Sequence, residues 1–357
     1  MLVEVGMKSV TNAAADLDNS SFVDIRNLRV YFKRSYDVYT PRQHGKHVIK
    51  AVDDVTIQIA RGEILSIVGE SGSGKTTLGR TVVGLTRPTS GKVLLEGNEI
   101  NYEDRGKLRE LWKKSQMIFQ DPYSTFNPLS PIHDALLTPL KKFGLVRSEA
   151  EADERIESML LRVGLSAKDV ENKYPNQLSG GQRQRISIAR AMLVQPKLLV
   201  ADEPVSMLDV SLRAGILELI KELNRRDKLT VLFITHDLAV AQYISDRIAV
   251  MYRGKILELG SSHDIIDSPL HPYTELLLSS VPRISGRKSW PDRSEISLPK
   301  VVPNDFAGCR YYANCPLAVD RCKVQEPSLK EVYSGHFVAC FLRDKSSEID
   351  SAQRPAG

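Results

Sequence analysis

The residues with the clearest chemical role form one glycine-rich run that matches the pattern G-x-x-x-x-G-K-[ST]. The run consists of Gly69, Glu70, Ser71, Gly72, Ser73, Gly74, Lys75 and Thr76. Glycines at these positions let backbone N–H groups converge on phosphate oxygens, and a helix that begins near Lys75 adds its positive dipole end. The Lys75 amine can reach the β- and γ-phosphates, and the Thr76 hydroxyl can ligate Mg²⁺. We expect this run, with Thr77 as a further contact, to bind the phosphates of a nucleotide.

A pair of carboxylates follows an apolar run further along the chain. Leu198 to Ala201 leads directly into Asp202 and Glu203. Asp202, at the tip of a buried strand, can hold Mg²⁺ through its water shell, and Glu203 can polarise a water for in-line attack on a γ-phosphate. The alternative is an acidic pair that only caps a strand, and the upstream phosphate-binding pattern favours the catalytic interpretation.

Two more polar residues follow predicted strands. Gln120 ends the strand Met117–Phe119, and His236 follows Leu232 to Thr235. Both can reach a γ-phosphate from adjacent strand ends, and Gln120 is also a candidate Mg²⁺ ligand. An isolated Gln or His is more often structural. Their spacing relative to the other motifs favours the functional interpretation.

The elements that must position these residues alternate between strands and helices. Period-two alternation or continuous apolar character predicts strands, which are Phe22–Phe32, Val52–Ala60, Glu63–Val68, Gln116–Gln120, Leu198–Ala201 and Thr230–Ile234. Helical spacing predicts helices at Thr76–Leu85 and through most of Asp121–Tyr174, with Gly164 as a stop. Arg247–Gly260 is typical of a hairpin, and we expect irregular, Pro-rich chain after Ser268. This order predicts an α/β fold with a mainly parallel sheet.

Composition sets limits on the class of protein. The chain has 357 residues, 42% of them hydrophobic and 26% charged, and a net charge of +5. That charge is too small to argue for a nucleic-acid partner. No apolar run approaches the ~20 residues that cross a bilayer, and residues 1–20 have the character of a flexible lead rather than of a secretory signal. We expect a cytosolic protein, or one that its partners hold at the cytosolic face of a membrane.

Four cysteines lie close together near the end of the chain, and none precedes them. They are Cys309, Cys315, Cys322 and Cys340, separated by five, six and seventeen residues. Four thiolates can ligate a [4Fe–4S] cluster or Zn²⁺, although these gaps are not the C-x₂-C pairs of zinc ribbons. Free thiols are a third interpretation, and disulfides are disfavoured in the cytosol. Nothing in the sequence couples these cysteines to the phosphate-binding residues.

The motifs taken together resemble the nucleotide-binding subunit of an ATP-binding cassette (ABC) transporter. The resemblance runs from about Phe22 to Gly260 and follows the order of the family's Walker A loop, Q-loop, signature, Walker B, D-loop and switch histidine. The signature is Leu178-Ser179-Gly180-Gly181-Gln182, and the D-loop is Ser206-Met207-Leu208-Asp209, with Met where Ala is usual. The candidates for the residue that stacks on adenine are Tyr31, Tyr39 and His47.

The resemblance implies a fold and a division of the chain. It implies an ABC-type P-loop NTPase with an antiparallel β subdomain, spanning 21–265, with a helical subdomain inserted at about 121–178. Residues 266–357 then form a cysteine-containing C-terminal extension.

The resemblance also implies a catalytic set and a dimer. Lys75, Gln120, Glu203 and His236 act on the ATP bound by the chain itself. In the family two cassettes pack head to tail, so that the signature of each closes over the other's ATP. Ser179, Gly180, Gly181 and Gln182 would therefore act on the ATP of a second subunit.

The C-terminal motifs narrow the resemblance to oligopeptide and dipeptide importers. His271-Pro272-Tyr273-Thr274, Val281-Pro282 and the cysteine tail resemble the segment that follows the cassette in these proteins, some of which carry a [4Fe–4S] cluster on this tail. These importers use two different ATPase subunits, and three segments of this chain are similar to the subunit called the F-type. They are Gln182-Arg183-Gln184-Arg185, Glu203-Pro204-Val205-Ser206 and the polar stretch Ser35–Lys46.

The resemblance implies four kinds of partner. They are ATP with Mg²⁺, a non-identical ATPase subunit called the D-type, two transmembrane permeases and an extracytoplasmic solute-binding protein. The permeases would contact Tyr123 and Phe126 near the Q-loop. The subunit would be peripheral, at the cytoplasmic face of the inner membrane. Nickel, opines, glutathione and oligosaccharides are alternative solutes. ABC ATPases that act on DNA or ribosomes are a remote alternative, because those chains typically hold two cassettes or a long coiled coil.

Overall fold

A computed structural model describes residues 21–33, 48–123, 125–279 and 306–343. The lead over 1–20, the stretch Ser35–Lys46, the pair Val281-Pro282 and the residues Tyr39 and His47 lie outside the described residues. Across the described parts of the chain, no helix combines the length and apolar character needed to cross a bilayer.

The described chain forms twelve strands, which we number in chain order. They are β1 (Ser21–Lys33), β2 (Val48–Ala60), β3 (Ile64–Val68), β4 (Ser90–Leu95), β5 (Asn98–Glu99), β6 (Ser115–Ile118), β7 (Leu198–Asp202), β8 (Thr230–Thr235), β9 (Arg247–Tyr252), β10 (Lys255–Ser261), β11 (Lys330–Tyr333) and β12 (His336–Val338). Each predicted strand has a counterpart among them, with bounds shifted by a few residues.

Eleven α-helices lie between and after the described strands. They are α1 (Lys75–Val82), α2 (Arg105–Lys114), α3 (Ile132–Phe143), α4 (Glu149–Arg162), α5 (Ala167–Val170), α6 (Gly180–Met192), α7 (Val210–Asp227), α8 (Leu238–Ile244), α9 (Ser262–Asp267), α10 (Pro272–Ser279) and α11 (Asp320–Val324).

Two sheets organise the fold. An antiparallel sheet has the order β2-β1-β4-β5, and an eight-stranded sheet has the order β11-β12-β10-β9-β3-β8-β7-β6. In the larger sheet, β3 pairs in parallel with β8 and β9, and β7 pairs in parallel with β6 and β8. Strands β3, β7 and β8 are buried along their whole length, which explains their continuous apolar character. The carboxyl ends of these parallel strands therefore meet at one edge of the sheet.

The inserted helical region begins later than the sequence predicts. The first helix after Gln120 is α3, which starts only at Ile132. The preceding stretch contains Pro122, Pro128 and Pro131, and each proline disfavours helical backbone at the residue before it. Helices α3 and α4 follow and pack against α6.

The C-terminal extension is more regular than the sequence predicts. The prediction of irregular chain after Ser268 is wrong for Pro272–Ser279, which forms α10. In addition, β12 pairs with β10 and β11 pairs with β12, so the extension adds two strands to the main sheet. The cause is the carboxylate of Glu258, which is fully buried and accepts the backbone N–H groups of Leu270 (2.7 Å) and His271 (3.0 Å) just before α10. These bonds satisfy two buried backbone donors in the segment that leads into α10.

Candidate active site

The glycine-rich run forms a tight loop between β3 and α1, which we call the phosphate-binding loop (Gly69–Thr76). A side chain on Gly69 would put its Cβ 2.0 Å from the Met251 carbonyl oxygen. Gly74 has φ +107°, and a Cβ there would lie 2.0 Å from the Ala51 carbonyl oxygen. Backbone from β9 and β2 thus presses directly on the loop, and only glycine fits at these two positions.

Lys75 lies inside this loop. Its side chain is buried, and its Nζ donates to the carbonyl oxygens of Gly69 (2.7 Å) and Glu70 (2.8 Å). Burial lowers the pKa of Lys75, and the nearby carboxylates of Glu203, Asp202 and Glu70 oppose that shift. An amine in this position has a strong electrostatic reason to pair with an anion that enters the loop.

Thr76 and Asp202 bring a hydroxyl and a carboxylate together beside the loop. The Thr76 Oγ1 donates to the Asp202 Oδ1 at 3.0 Å, although the two residues are 126 positions apart in sequence. Burial raises the pKa of Asp202, and the neighbouring Glu203 carboxylate raises it further. A cation between these oxygens would offset both effects, so the donor set fits a hard divalent ion such as Mg²⁺.

Glu203 is the point at which two predicted site residues meet. Its Oε2 lies 3.2 Å from the Gln120 Nε2 and 3.1 Å from the His236 Nδ1. The Glu203 backbone has φ +46°, and its N–H donates to the Ile234 carbonyl oxygen at 2.8 Å. A left-handed conformation costs a non-glycine residue free energy, and such positions cluster at functional sites. The sequence contains no signal for this backbone conformation.

The other predicted loop residues differ in exposure and in the contacts they make. Ser71 and Gly72 are exposed, whereas Ser73 is buried and its Oγ lies 3.4 Å from the Lys75 Nζ. The Thr77 carbonyl oxygen accepts the Thr81 hydroxyl one turn further along α1. One side of the loop, at Ser71 and Gly72, therefore faces solvent, while the Lys75 amine lies buried behind it.

The signature residues begin α6 rather than joining the loop. Ser179 Oγ accepts the Gln182 N–H at 3.2 Å, and the Gln182 Oε1 accepts the Ser179 N–H at 3.0 Å, which makes a capping box. A Cβ on Gly181 would lie 3.1 Å from Leu212, so this helix start is closely packed. Gly180 follows Ser179 as the first helical residue. Ser179 is exposed at this helix N-terminus, and a helix N-terminus attracts anions.

The four cysteines lie in one small region next to the end of the main sheet. Cys309 and Cys322 are buried, Cys315 and Cys340 are half-buried, and all four are free thiols. Burial, together with the other three thiols, raises the pKa of Cys309 to about 12. Among the described residues, however, no three His, Cys, Asp or Glu side chains are arranged to hold a metal ion.

Two residues near the Q-loop differ in exposure. Phe126 is 4% exposed and belongs to the core. Tyr123 is 56% exposed, and the Arg183 guanidinium lies over its ring at 3.7 Å. Of these two, only Tyr123 has an exposed ring. Tyr31, the described candidate for adenine stacking, donates its hydroxyl to Asp53 at 2.5 Å.

Tyr273 also contacts the site, and it is not among the site residues that the sequence predicts, although it lies in the His271–Thr274 motif. The Tyr273 side chain is fully buried, and its hydroxyl oxygen accepts the backbone N–H of Glu70 in the phosphate-binding loop at 3.1 Å. An aromatic residue 203 positions from the loop gives no local signal of such a contact.

Family models match two parts of the chain. The model described as ABC transporter matches residues 52–206, which include the phosphate-binding loop, the signature and the Asp202–Glu203 pair. The model described as oligopeptide/dipeptide transporter, C-terminal region, matches residues 257–322.

Individual relatives and solved structures agree with these models. The oligopeptide transport ATP-binding protein AppF of Bacillus subtilis is 42% identical over 329 residues, which are 91% of this chain and 98% of that protein. A putative peptide import ATP-binding protein of Brucella ovis is 43% identical over 304 residues, covering 83% of this chain and 92% of that protein. The dimeric structure of the ATP-binding cassette MJ0796 with ADP and Pi is 31% identical with a TM-score of 0.59, covering 67% of this chain and 98% of that one. The chain therefore belongs to the ATP-binding subunits of ABC transporters, and it is an ATPase.

Proposed function

We propose that this chain is the ATP-hydrolysing subunit of an importer for di- and oligopeptides. One observation carries the ATPase assignment: Gln120 and His236 both contact the same carboxylate oxygen of Glu203, beside the Thr76–Asp202 pair. The assignment to peptides is supported by the C-terminal region at 257–322 and by relatives named for peptide transport. We also propose the division into a cassette at 21–265 and an extension at 266–357.

The phosphate-binding loop holds the triphosphate. Backbone N–H groups at the start of α1 and the Lys75 amine bind the β- and γ-phosphates. On binding, the amine exchanges its bonds to the Gly69 and Glu70 carbonyl oxygens for bonds to phosphate oxygens. Thr76, Asp202 and Gln120 would hold Mg²⁺, which neutralises charge on the β- and γ-phosphates.

Hydrolysis depends on Glu203. Its carboxylate orients and polarises a water for in-line attack on the γ-phosphate. His236 and Gln120 fix the position of that carboxylate through the bonds to its Oε2. The left-handed backbone at Glu203, tied to Ile234, further restricts the side chain.

The signature serves the ATP of a second subunit. The helix N-terminus formed by Ser179, Gly180, Gly181 and Gln182 carries positive dipole charge and the exposed Ser179 hydroxyl, and both bind phosphate well. We propose that the partner is a non-identical ATPase of the D-type, since Gln182 to Arg185 and the Glu203 to Ser206 run are similar to the F-type. ATP then joins the two subunits, and hydrolysis releases them.

Two permeases and a solute-binding protein complete the proposed importer, which would hold this chain at the cytoplasmic face of the inner membrane. A groove of about 310 Å³ is lined by apolar and basic residues of the helical region and the sheet, including Trp112, Phe119, Phe143 and Arg190. Its position between the Q-loop and α3 suits a short helix from a permease. Tyr123 is exposed and lies two residues before Thr125, which lines the groove, so it is a further candidate for contact with the permease.

The four cysteines are proposed to hold a [4Fe–4S] cluster, with Zn²⁺ as the alternative. Four thiolates are the donor set that such a cluster requires, and all four cysteines are free thiols in one region of the chain. Burial raises the pKa of Cys309, Cys315 and Cys340, and a bound metal would offset the cost of ionising them. A brown anaerobic preparation with iron and sulfide supports the cluster, and a colourless one with stoichiometric zinc refutes it.

Reconstitution tests the proposed function. The chain is co-purified with the second ATPase and both permeases in proteoliposomes, and ATP turnover is measured with the solute-binding protein and a peptide mixture. We expect peptides to stimulate turnover and to be taken up, and Lys75→Ala to abolish both. Stimulation by nickel, glutathione or an oligosaccharide instead would refute the peptide assignment and retain the ATPase.

A further inference from the structure

The extension touches the phosphate-binding loop directly. Tyr273, the second residue of α10, is fully buried, and its hydroxyl oxygen accepts the Glu70 N–H at 3.1 Å. Glu70 is the second residue of the loop, and its carbonyl oxygen also accepts the Lys75 amine at 2.8 Å. The tyrosine therefore holds the same peptide segment that holds the phosphate-binding lysine.

The Tyr273 ring is fixed by two other tyrosines. Its centroid lies 4.7 Å from that of Tyr252 on β9 and 5.3 Å from that of Tyr311, and those two rings are 5.5 Å apart in an edge-to-face arrangement. Offset and edge-to-face contacts at these separations are favourable. Tyr311 is 3% exposed, follows Cys309 by two residues and belongs to the same buried cluster as Cys309 and Tyr273. The cysteine region thus forms one wall of the pocket that holds Tyr273.

A second path leads from the cysteine region to the middle of the loop. Arg310, 5% exposed, donates to the Asp53 carboxylate at 2.5 Å. The Asp53 N–H donates to the Gly254 carbonyl oxygen at 2.9 Å, and the Gly254 N–H donates to the Ser73 carbonyl oxygen at 2.8 Å. Residues adjacent to Cys309 therefore reach both Glu70 and Ser73 through hydrogen bonds or packed rings.

We propose that Tyr273 is a positioning residue for ATP binding, which orients the Glu70 peptide of the phosphate-binding loop, and that the cysteine region holds Tyr273 in place through Tyr311. The hydroxyl fixes the Glu70 peptide before nucleotide arrives, so that the loop N–H groups already point into the site. Loss of this bond lets the loop fluctuate and lowers ATP affinity, whereas the groups that contact the attacking water are unchanged. The proposal rests on the nucleotide site described above.

Tyr273→Phe tests the hydroxyl, and Tyr102→Phe is the matched control. Tyr102 is half-buried, and its hydroxyl donates to the backbone carbonyl oxygen of Thr81, at the far end of α1, at 3.0 Å. The KM for ATP and kcat are measured on the complex with the partner ATPase and permeases. We expect Tyr273→Phe to raise the KM by about twofold to tenfold, the range of one net hydrogen bond, and to leave kcat unchanged. Tyr102→Phe leaves both unchanged.

A KM for Tyr273→Phe equal to that of the wild type, or matched by Tyr102→Phe, would overturn the proposal. Failure of the wild-type complex to bind ATP would instead overturn the proposed function itself.

A second variant covers the case in which Tyr273→Phe does not fold. Tyr311→Leu removes one wall of the ring pocket, and hydrogen exchange of the peptide spanning 65–78 should become faster while the peptide around Tyr102 is unchanged. Unchanged exchange at 65–78 in a folded Tyr311→Leu protein would overturn the role of the cysteine region.

Discussion

Glu258 offers a test of how the extension is attached to the cassette. Its carboxylate is fully buried on β10, and each of its oxygens accepts two donors. Oε1 accepts the Leu270 N–H at 2.7 Å and lies 2.8 Å from the His336 Nε2, and Oε2 accepts the His271 N–H at 3.0 Å and the Thr274 hydroxyl at 2.5 Å. The residue therefore joins α10 and β12 to the main sheet.

Replacement of Glu258 by Gln removes one of these acceptor positions whichever way the amide turns. In either orientation one buried backbone N–H, that of Leu270 or of His271, loses its acceptor. An unsatisfied buried donor costs about 1–3 kcal/mol, and the remaining bonds lose the strength that a charged acceptor gives, about 1 kcal/mol. We expect Glu258→Gln to lower the free energy of unfolding by about 2–4 kcal/mol.

Urea denaturation followed by circular dichroism measures this loss, with Glu99→Gln as the control. Glu99 lies on β5 and is 52% exposed, and its ion pair with Lys92 is a surface pair worth little. Hydrogen exchange locates the effect, because protection of residues 306–343 should fall first. A Glu258→Gln protein as stable as the Glu99→Gln protein would refute the account of how the extension is held.

Three further predictions concern the site and the surface. His236→Ala should reduce ATP turnover by about a hundredfold with little change in ATP affinity, measured by steady-state kinetics and nucleotide titration, because the histidine fixes Glu203 rather than the phosphates; equal turnover would contradict this. Ser179→Ala should slow hydrolysis in the assembled complex by about tenfold and leave ATP binding by the separate chain intact; weaker binding by the separate chain would contradict the role on the partner's ATP. Hydrogen bonds from Lys197, Arg61 and Lys114 lower the pKa of Glu96 to about 2. Its stabilisation is therefore fully present above the ordinary pKa of about 4.5 and is lost as the pH falls toward 2. Glu96→Gln should cost about 1 kcal/mol or less at pH 7 and remove that part of the pH dependence of urea denaturation; an unchanged pH dependence would contradict it.

Residues at strand ends could be predicted from sequence because the signal is local. A continuous apolar run predicts a buried strand, and parallel strands place their carboxyl ends at one edge of the sheet. That reasoning predicted that Gln120, Asp202, Glu203 and His236 could lie together, and the structure brings the side chains of Gln120 and His236 onto Glu203. The roles of these residues stay predictions until the variants are measured.

Contacts between distant segments could not be predicted in this way. Tyr273 and Glu258 act through neighbours that are far away in sequence, and neither the pairing of β12 with β10 nor the Glu70 contact has a local pattern. One missed element did have a signal. Pro272 at the first helical position is typical of a helix start, because proline lacks the N–H that such a position leaves unpaired.

ATP turnover and subunit association of Glu203→Gln test the central claim most directly. The variant is assembled with the partner ATPase and permeases, and Glu99→Gln serves as the control for a lost surface carboxylate. The account predicts that Glu203→Gln binds MgATP with wild-type affinity, accumulates the ATP-bound associated state and hydrolyses ATP at least about a hundredfold more slowly. Turnover like that of the wild type would contradict the assignment of Glu203 and, with it, the mechanism built on Gln120 and His236.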